Sequence, residues 1–187
     1  VVVICPWNFP FFVMARKVAP SLLTGNTIVV KVSEETPATC LEFAKLLDEI
    51  ALPDGVLNIV CGYGDEIGEA LTRNQDVGMI SLTGSVEAGE KVMTAAAKNI
   101  TKVSLELGGK APAIVCEDAD LDLAVKSIVA SRVIYSGQVC NCAERVYVDQ
   151  RVYEPFISKL TEAMKHVKIG NALEDEGIDM SSQINQK

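Results

Sequence analysis

Two cysteines, Cys140 and Cys142, lie one residue apart in the segment YSGQVCNCAERVYV (135–148), between a Ser-Gly turn and a strand-like run. A turn or a helix start presents backbone N–H groups that favour a thiolate, so Cys140 is a candidate nucleophile. Zinc takes ligands from clusters of Cys and His, and the chain has a single histidine, His166. A disulfide between residues one apart would be strained. The pattern therefore favours nucleophilic chemistry, and packing inside a core is the main alternative.

The other four cysteines stand singly inside apolar runs, at Cys5, Cys40, Cys61 and Cys116. We expect all four to be small buried hydrophobic residues. A secreted disulfide scaffold would be shorter and richer in loops, so the cysteine usage favours a reducing, cytoplasmic compartment.

Glycines follow two apolar runs, in the segments GSVEAG (84–89) and GYGDEIG (62–68). A strand that ends at Gly84 and is followed by Ser85 and a helix can bind phosphate, through the free N–H groups and the dipole of the helix. Val86 stands where the strict dinucleotide fingerprint has its second glycine, so an ordinary helix cap is the alternative. The second segment also fits a plain strand-to-helix turn.

The segment KVSEETP (31–37) places Lys31 and Glu34 three residues apart at the end of a predicted strand. A glutamate at that position can bind both ribose hydroxyls of an adenosine, and it repels a 2′-phosphate. A solvated, charged approach to the next helix is the alternative.

Short β-branched runs alternate with helical patterns along the chain. Strands are predicted at residues 1–5, 26–33, 55–62, 77–84, 102–109, 112–118 and 145–150. Helices are predicted at residues 11–23, 36–52, 65–74, 85–99, 121–134 and 151–167. In the second helix, Thr36 is the predicted N-cap and Pro37 the first helical residue. The alternation is typical of βαβ units in a parallel sheet, whose ligands lie beyond the carboxyl ends of the strands.

Composition disfavours several classes of function. A net charge of −8 argues against binding to nucleic acid or to an anionic membrane, because both require basic patches. No apolar run reaches the ~18 residues that span a bilayer. The opening VVVIC has neither the basic flank nor the cleavage site of a signal peptide. Because the first residue is not Met and the end lacks a closing element, we expect an internal piece of a longer protein.

Five segments, in their order and spacing, resemble the aldehyde dehydrogenase superfamily: PWNFP (6–10), KVSEETP (31–37), SLTGSVEAG (81–89), LELGGKAP (105–112) and SGQVCNCAERVYV (136–148). Together with MARKVAP (14–20), the last segment most resembles the lactaldehyde and glycolaldehyde dehydrogenase branch. The resemblance implies an α/β fold with an incomplete Rossmann-like parallel sheet. Residues 1–108 would be part of an NAD-binding domain, and residues 109–187 would be the N-terminal part of a second α/β domain, the catalytic one. The glycines of ELGGK (106–110) are the best candidate for the hinge.

The same resemblance assigns roles to individual residues. Cys140 matches the nucleophile and Glu106 the general base. Asn8 matches the side-chain donor of the oxyanion hole, and Lys17 matches a lysine that orients groups or relays protons. Cofactor contacts are implied at Trp7, Asn8, Lys31, Glu34, Gly64, Glu69, Gly84, Ser85, Glu106 and Leu107. Cys142 matches no essential role.

The implied reaction is the NAD-dependent oxidation of a small aldehyde, of the lactaldehyde or glycolaldehyde type, to the carboxylic acid. A thiohemiacetal and then a thioester would form on Cys140, and Glu106 would activate the water that hydrolyses the thioester. Arg16, where many members carry an aromatic residue, and Asn141 match substrate-binding positions. Both favour a hydroxylated or anionic aldehyde, so succinate semialdehyde is the alternative substrate. Relatives that release acyl-CoA lack an equivalent of Glu106.

The resemblance also implies that the full-length protein is a homo-oligomer, a dimer or a tetramer. The single histidine and the lack of a second cysteine pair argue against a metal site. This chain has Ser181 and Ser182 where members usually have Gly-Pro, and the segments that complete the nicotinamide ribose site and the subunit interface are absent. We therefore expect the 187-residue chain alone to have weak activity or none. A truncated, non-catalytic nucleotide-binding fragment is the alternative interpretation.

Overall fold

The computed structural model describes residues 1–47 and 49–186. Its internal contacts divide the chain into two compact units, Val1–Gly108 and Gly109–Lys187. The predicted helix at 36–52 includes residue 48, and the predicted second domain ends at residue 187. Both of these residues lie outside the described ranges.

The first unit is built on five parallel strands in the order β3-β2-β1-β4-β5. The strands are β1 (Val2–Ile4), β2 (Ile28–Val32), β3 (Leu57–Cys61), β4 (Met79–Gly84) and β5 (Lys102–Leu107). The register places Val3 opposite Val30 on one side and opposite Ser81 on the other, so β1 is the central strand. The predicted α/β class and parallel sheet are confirmed.

Four helices connect these strands: α1 (Pro10–Leu23), α2 (Ala38–Leu47), α3 (Glu69–Arg73) and α4 (Val86–Ala97). Helix α1 begins with a proline, at the position where a missing N–H is tolerated. Helix α2 begins at Ala38, one residue later than predicted. The Thr36 hydroxyl donates a hydrogen bond to the carbonyl oxygen of Trp7, 2.7 Å away. That bond ties the approach to α2 to the segment that follows β1.

Both faces of the sheet are covered, because alternate residues of each strand point to opposite sides. Val3 and Met14 belong to a buried cluster that joins β1, β2 and the first two helices. Val2 and Val92 belong to a second cluster, which joins β1, β4 and α4. Strands buried on both faces explain the near-continuous Val and Ile runs in the sequence.

The connection from β3 to β4 differs from the single helix predicted at 65–74. A π-helical turn, Gly64–Gly68, precedes α3, which has only five residues. The side chain of Ile67 lies against Gly62, where an added Cβ atom would come within 2.3 Å of Ile67 Cδ1. The close approach requires glycine at position 62, and the wide turn accommodates the Ile67 side chain.

The second unit contains a two-stranded parallel sheet, β6 (Pro112–Val115) and β7 (Arg145–Val148). Helices α5 (Leu121–Val133) and α6 (Tyr153–Lys165) pack against it, around a small core that contains Phe156. An irregular turn, Ile134–Gly137, follows α5 where the predicted helix at 121–134 ends. None of the helices in the described part of the chain combines the length and the apolar character that a membrane span requires.

The prediction that four cysteines are buried is correct for Cys5 and Cys40 and wrong for Cys61 and Cys116, which are exposed. Cys61 ends β3, an edge strand with a neighbour on one side only. Cys116 follows Val115, whose side chain enters the core of the second unit, so Cys116 faces the opposite side. Burial raises the pKa of Cys5 to about 12, which keeps it a neutral thiol.

Candidate active site

The strand order of the first unit reverses at β1, which lies between β2 and β4. In a doubly wound sheet, ligands bind at such a switch point, beyond the carboxyl ends of the strands. Trp7 and Asn8 follow β1, and both are half-buried. Gly84 ends β4, and Ser85 follows it. The structure therefore places these two predicted pairs on the two sides of the switch point.

Lys31 and Glu34 form an ion pair where β2 ends. Lys31 Nζ donates hydrogen bonds to Glu34 Oε2 at 3.0 Å and to the carbonyl oxygen of Val32 at 3.2 Å. Only 5% of the Lys31 side chain is exposed, against 37% for Glu34. A buried ammonium group needs such partners. Glu34 therefore pairs with the buried ammonium group and presents part of its carboxylate to solvent beyond the end of β2.

Ser85 is the N-cap of helix α4. Its Oγ atom accepts a hydrogen bond from the N–H of Ala88, 3.1 Å away, and its backbone is extended. The first turn of this 12-residue helix presents N–H groups without intrahelical partners, at the positive end of the helix dipole. Gly84 has no side chain to cover that end. An anion such as a phosphate group fits this arrangement.

Lys17 lies on α1, and its Nζ atom is buried without a hydrogen-bond partner among the described residues. Burial lowers the pKa of Lys17 to about 8, although the nearby Cys5 and Glu106 side chains oppose that shift. An amine with this pKa can give or take a proton near neutral pH. Lys17 and Glu106 therefore interact electrostatically within the first unit.

Glu106 and Leu107 end β5, the edge strand beside β4. The parallel register pairs Leu107 with Gly84, so both residues lie at the same strand ends as the start of α4. Leu107 packs over Gly89 of that helix, where an added Cβ atom would come within 2.8 Å of Leu107 Cδ2. The side chain of Glu106 points away from this packing and is exposed.

Three further predicted residues lie on the surface of the first unit. Gly64 begins the π-helical turn, and Glu69 begins α3 and pairs with Arg73, 2.6 Å away. Arg16 is exposed on α1, with its guanidinium carbon 5.8 Å from the centre of the Phe12 ring. The aromatic face holds the Arg16 cation at the surface of the helix.

Cys140 lies in the second unit, in the turn that precedes β7. Cys140 and Asn141 are exposed, whereas only 1% of Cys142 is exposed. The N–H of Cys142 donates to the carbonyl oxygen of Val139 at 3.0 Å and closes the turn around Cys140. The two thiols therefore face opposite environments, one in solvent and one in the core. Within the described ranges, no three His, Cys, Asp or Glu side chains are grouped as a metal site.

The backbone before Cys140 adopts a conformation that no sequence pattern predicted. Tyr135, Ser136 and Gly137 have φ angles of 50°, 57° and 80°, so three successive residues are left-handed. The Ser-Gly pair is a signal for a turn, but it does not specify two left-handed residues before the glycine.

An ion-pair network beside this turn was also missed. Glu144 accepts hydrogen bonds from Lys110 Nζ at 3.0 Å and from Arg132 Nη1 at 3.2 Å, and these two cations lower the pKa of Glu144. An added Cβ atom at Gly137 would come within 2.6 Å of Arg132 Nη2. Position 137 therefore favours glycine for its φ angle of 80°, and any other residue there would also displace this guanidinium group.

The predicted cofactor residues thus lie in the first unit, most of them at or just beyond the carboxyl ends of its strands, and the predicted nucleophile belongs to the second unit. An exposed thiol in a tight turn can form a covalent bond to an electrophile. A helix N-terminus and a carboxylate at the edge of a parallel sheet can bind the phosphates and a ribose of a dinucleotide.

Comparison with known proteins gives a consistent result. The model of the aldehyde dehydrogenase family matches residues 1–187. The chain is 63% identical to lactaldehyde dehydrogenase of Escherichia coli over 97% of its length, which is 38% of that protein. It is 48% identical to mitochondrial succinate-semialdehyde dehydrogenase of Arabidopsis thaliana over 92% of its length, which is 33% of that protein.

Solved structures agree with the sequence comparison. A crystal structure of lactaldehyde dehydrogenase from E. coli matches 99% of the chain with a TM-score of 0.96 and 62% identity. Betaine aldehyde dehydrogenase from Staphylococcus aureus, in complex with NAD⁺, matches 98% with a TM-score of 0.93 and 36% identity. The matched regions are 39% and 36% of those two chains. The chain therefore spans less than half the length of the relatives it matches.

Proposed function

The chain belongs to the aldehyde dehydrogenase family, and from this premise we propose that the complete protein oxidises a small aldehyde to the carboxylic acid with NAD. The observation that best supports the proposal is the exposed thiol of Cys140 in a tight turn, two residues from the buried thiol of Cys142. A nucleophilic cysteine must be accessible to its substrate, whereas a cysteine that only fills a core is buried.

Cys140 is the nucleophile in the proposed mechanism. Its thiolate attacks the aldehyde carbon, a C–S bond forms, and the carbonyl oxygen becomes the oxyanion of a thiohemiacetal. We assign to Asn8 the hydrogen bond that stabilises this oxyanion, a contact worth about 3–4 kcal/mol in comparable sites. Loss of a hydride from the same carbon leaves a thioester on Cys140.

Glu106 is the general base of the second half-reaction. Its carboxylate takes a proton from water, the resulting hydroxide attacks the thioester, and the carboxylic acid and the free thiolate are released. A positioned base contributes about 10²–10⁴-fold to such a step. We assign to Lys17 the transfer of protons to or from this group, because its pKa of about 8 allows both protonation states near neutral pH.

The residues at the strand ends of the first unit fit a dinucleotide. Glu34 presents a carboxylate for the ribose hydroxyls, next to the buried ammonium group of Lys31. Gly84 and Ser85 leave the N-terminus of α4 open to a phosphate. We assign the remaining contacts to Trp7, Asn8, Gly64, Glu69, Glu106 and Leu107. When bound, NAD supplies a two-electron acceptor for the hydride.

We propose a lactaldehyde or glycolaldehyde type of substrate, with succinate semialdehyde as the second candidate. The higher identity to lactaldehyde dehydrogenase, 63% against 48%, supports the first. A cation at Arg16 and an amide at Asn141 suit either polar aldehyde. The kcat/KM ratio of the complete protein for the two aldehydes decides between them, and a preference for succinate semialdehyde would select the second candidate.

Selective labelling of the 187-residue chain with chloroacetaldehyde tests the nucleophile directly. Peptide mass spectrometry should find Cys140 labelled well before Cys61 and Cys116, the other two exposed cysteines, which serve as internal controls. Equal labelling of the three would contradict the proposal. NADH formation from lactaldehyde by the complete protein tests the whole reaction, and the 187-residue chain alone should show weak activity or none.

We also propose a cytoplasmic location and a homo-oligomer, a dimer or a tetramer, for the complete protein. Six cysteines that are all free thiols support a reducing compartment. Light scattering on the purified complete protein tests the assembly, and a monomer at micromolar concentration would contradict it.

A further inference from the structure

The turn that contains Cys140 is preceded by strained backbone. Tyr135 and Ser136 are left-handed residues without the freedom of glycine, with φ angles of 50° and 57°. Left-handed backbone is unfavourable for such residues, so two in succession persist only where surrounding contacts hold them.

The contacts that hold this turn come from residues 181–184. Ser136 Oγ donates to the carbonyl oxygen of Ser181 at 3.0 Å and accepts from the N–H of the same residue at 2.9 Å. Gln183 Nε2 donates to the carbonyl oxygen of Ser136 at 3.1 Å. Gln138 Oε1 accepts from the N–H of Ile184 at 2.9 Å. Residues 181–184 are therefore hydrogen-bonded to the turn at Ser136 and at Gln138.

Ser136 and Gln138 provide the side chains for this attachment. Ser136 is 8% exposed, and its hydroxyl satisfies both backbone polar groups of Ser181. Without that hydroxyl, the N–H and the carbonyl oxygen of Ser181 lose their partner in a partly buried position. Gln138 Nε2 also donates to the carbonyl oxygen of Tyr135 at 2.8 Å, which joins the two ends of the left-handed segment.

We propose that Ser136 and Gln138 are positioning residues for Cys140, because the turn they hold determines which of two neighbouring thiols faces solvent. The significance for catalysis rests on the proposed role of Cys140 as nucleophile. With the turn held, Cys140 is exposed and Cys142 is buried. With the turn released, both thiols become accessible and Cys140 no longer has one defined direction.

Alkylation of the 187-residue chain by iodoacetamide measures this directly, with each cysteine followed by peptide mass spectrometry. Ser136→Ala should raise the alkylation rate of Cys142 relative to Cys140 by about tenfold, because unpaired buried groups open the turn. Ser136→Gly should raise the same rate, although glycine adopts left-handed backbone without strain. The same result in both variants would show that the effect comes from loss of the hydroxyl and not from a change in backbone strain. Ser127→Ala, at an exposed position of α5, is the matched control and should change nothing.

Ser136→Asn is the conservative rescue. Asparagine tolerates left-handed backbone, and its amide can accept from the N–H and donate to the carbonyl oxygen of Ser181. It should restore protection of Cys142 to within about threefold of the parent chain. Cys142 that stays protected in Ser136→Ala, or equal exposure in the Asn and Ala variants, would overturn the proposal.

Gln138→Glu is the second test, to be used if the circular dichroism spectrum of Ser136→Ala shows that this variant does not fold. The carboxylate keeps an acceptor for the N–H of Ile184 and loses the donor to Tyr135, so intermediate exposure of Cys142 is expected in a folded chain. Unchanged exposure would count against the proposal. Because no aldehyde or NAD is used, failure here leaves the proposed function standing. Unselective labelling by chloroacetaldehyde would contradict the function without contradicting the attachment of the turn.

Discussion

The two units place their functional side chains by different means. In the first unit, Lys31 and Glu106 lie in hydrogen-bonded strands and Ser85 caps a 12-residue helix, so regular backbone determines their positions. In the second unit, Cys140 follows a left-handed turn that side-chain hydrogen bonds hold in place. A strand keeps its path when one side chain is changed, whereas an irregular turn depends on a few bonds. Substitutions in the first unit should therefore alter chemistry or binding with little change in structure.

Glu106→Gln tests the first unit, where regular backbone positions the side chains, and it should have the largest effect on activity. In the complete protein it should lower kcat by about 10²–10⁴-fold, because an amide cannot take a proton from water. Intact mass spectrometry after mixing with aldehyde and NAD should show the acyl group retained on Cys140. Glu90→Gln, at an exposed position of α4, is the matched control. A parent-like kcat would exclude Glu106 as the base.

Phe156→Ala tests the smaller core of the second unit. Phe156 is 0% exposed, and truncation of such a residue costs about 3–5 kcal/mol. The urea concentration that half-exposes Cys142 to iodoacetamide should fall accordingly. Tyr153→Ala, the exposed aromatic residue of the same helix, should shift that midpoint far less. Equal shifts in the two variants would show that the described core is not what protects Cys142.

Sequence reasoning predicted the first unit well because its signals are local. Hydrophobic periodicity and the Gly84-Ser85 pair indicate the strands and the start of α4. The attachment of the Cys140 turn could not be predicted, because it joins Ser136 to Ser181 across 45 positions. The exposure of Cys61 was missed for a related reason. An apolar run predicts a strand, but only the strand order shows that β3 is at the edge.

Lys17→Met tests the cost of burying an amine without a hydrogen-bond partner among the described residues. The pKa of Lys17 is about 8 in the folded chain and about 10.4 in an unfolded one. Between these values the unfolded chain binds more protons, so the stability of the parent should rise with pH from about 8 to about 10.4. Lys17→Met should remove that rise and stabilise the fold by about 1–2 kcal/mol at pH 7, after a discount for partial exposure.

Urea midpoints from Trp7 fluorescence at pH 7 and pH 10 measure this difference, since Trp7 is the single tryptophan and belongs to the first unit. Lys45→Met, an exposed lysine of α2, provides the control and should keep the parental pH dependence. If the urea midpoint of the parent chain changes with pH no more than that of Lys17→Met, burial of this amine does not reduce the free energy of unfolding.

Glu34→Gln should have the smallest effect. Its carboxylate would accept from a ribose hydroxyl and repel a 2′-phosphate, so the amide should reduce the preference for NAD over NADP by about fivefold. Titration of Trp7 fluorescence with each cofactor gives the ratio, and Glu42→Gln, an exposed glutamate of α2, is the control. Lys31 keeps the carbonyl oxygen of Val32 as a partner, so the strand should persist. If the comparison between the units is right, Glu34→Gln leaves Cys142 protected, whereas Ser136→Ala exposes Cys142 and leaves the cofactor ratio unchanged.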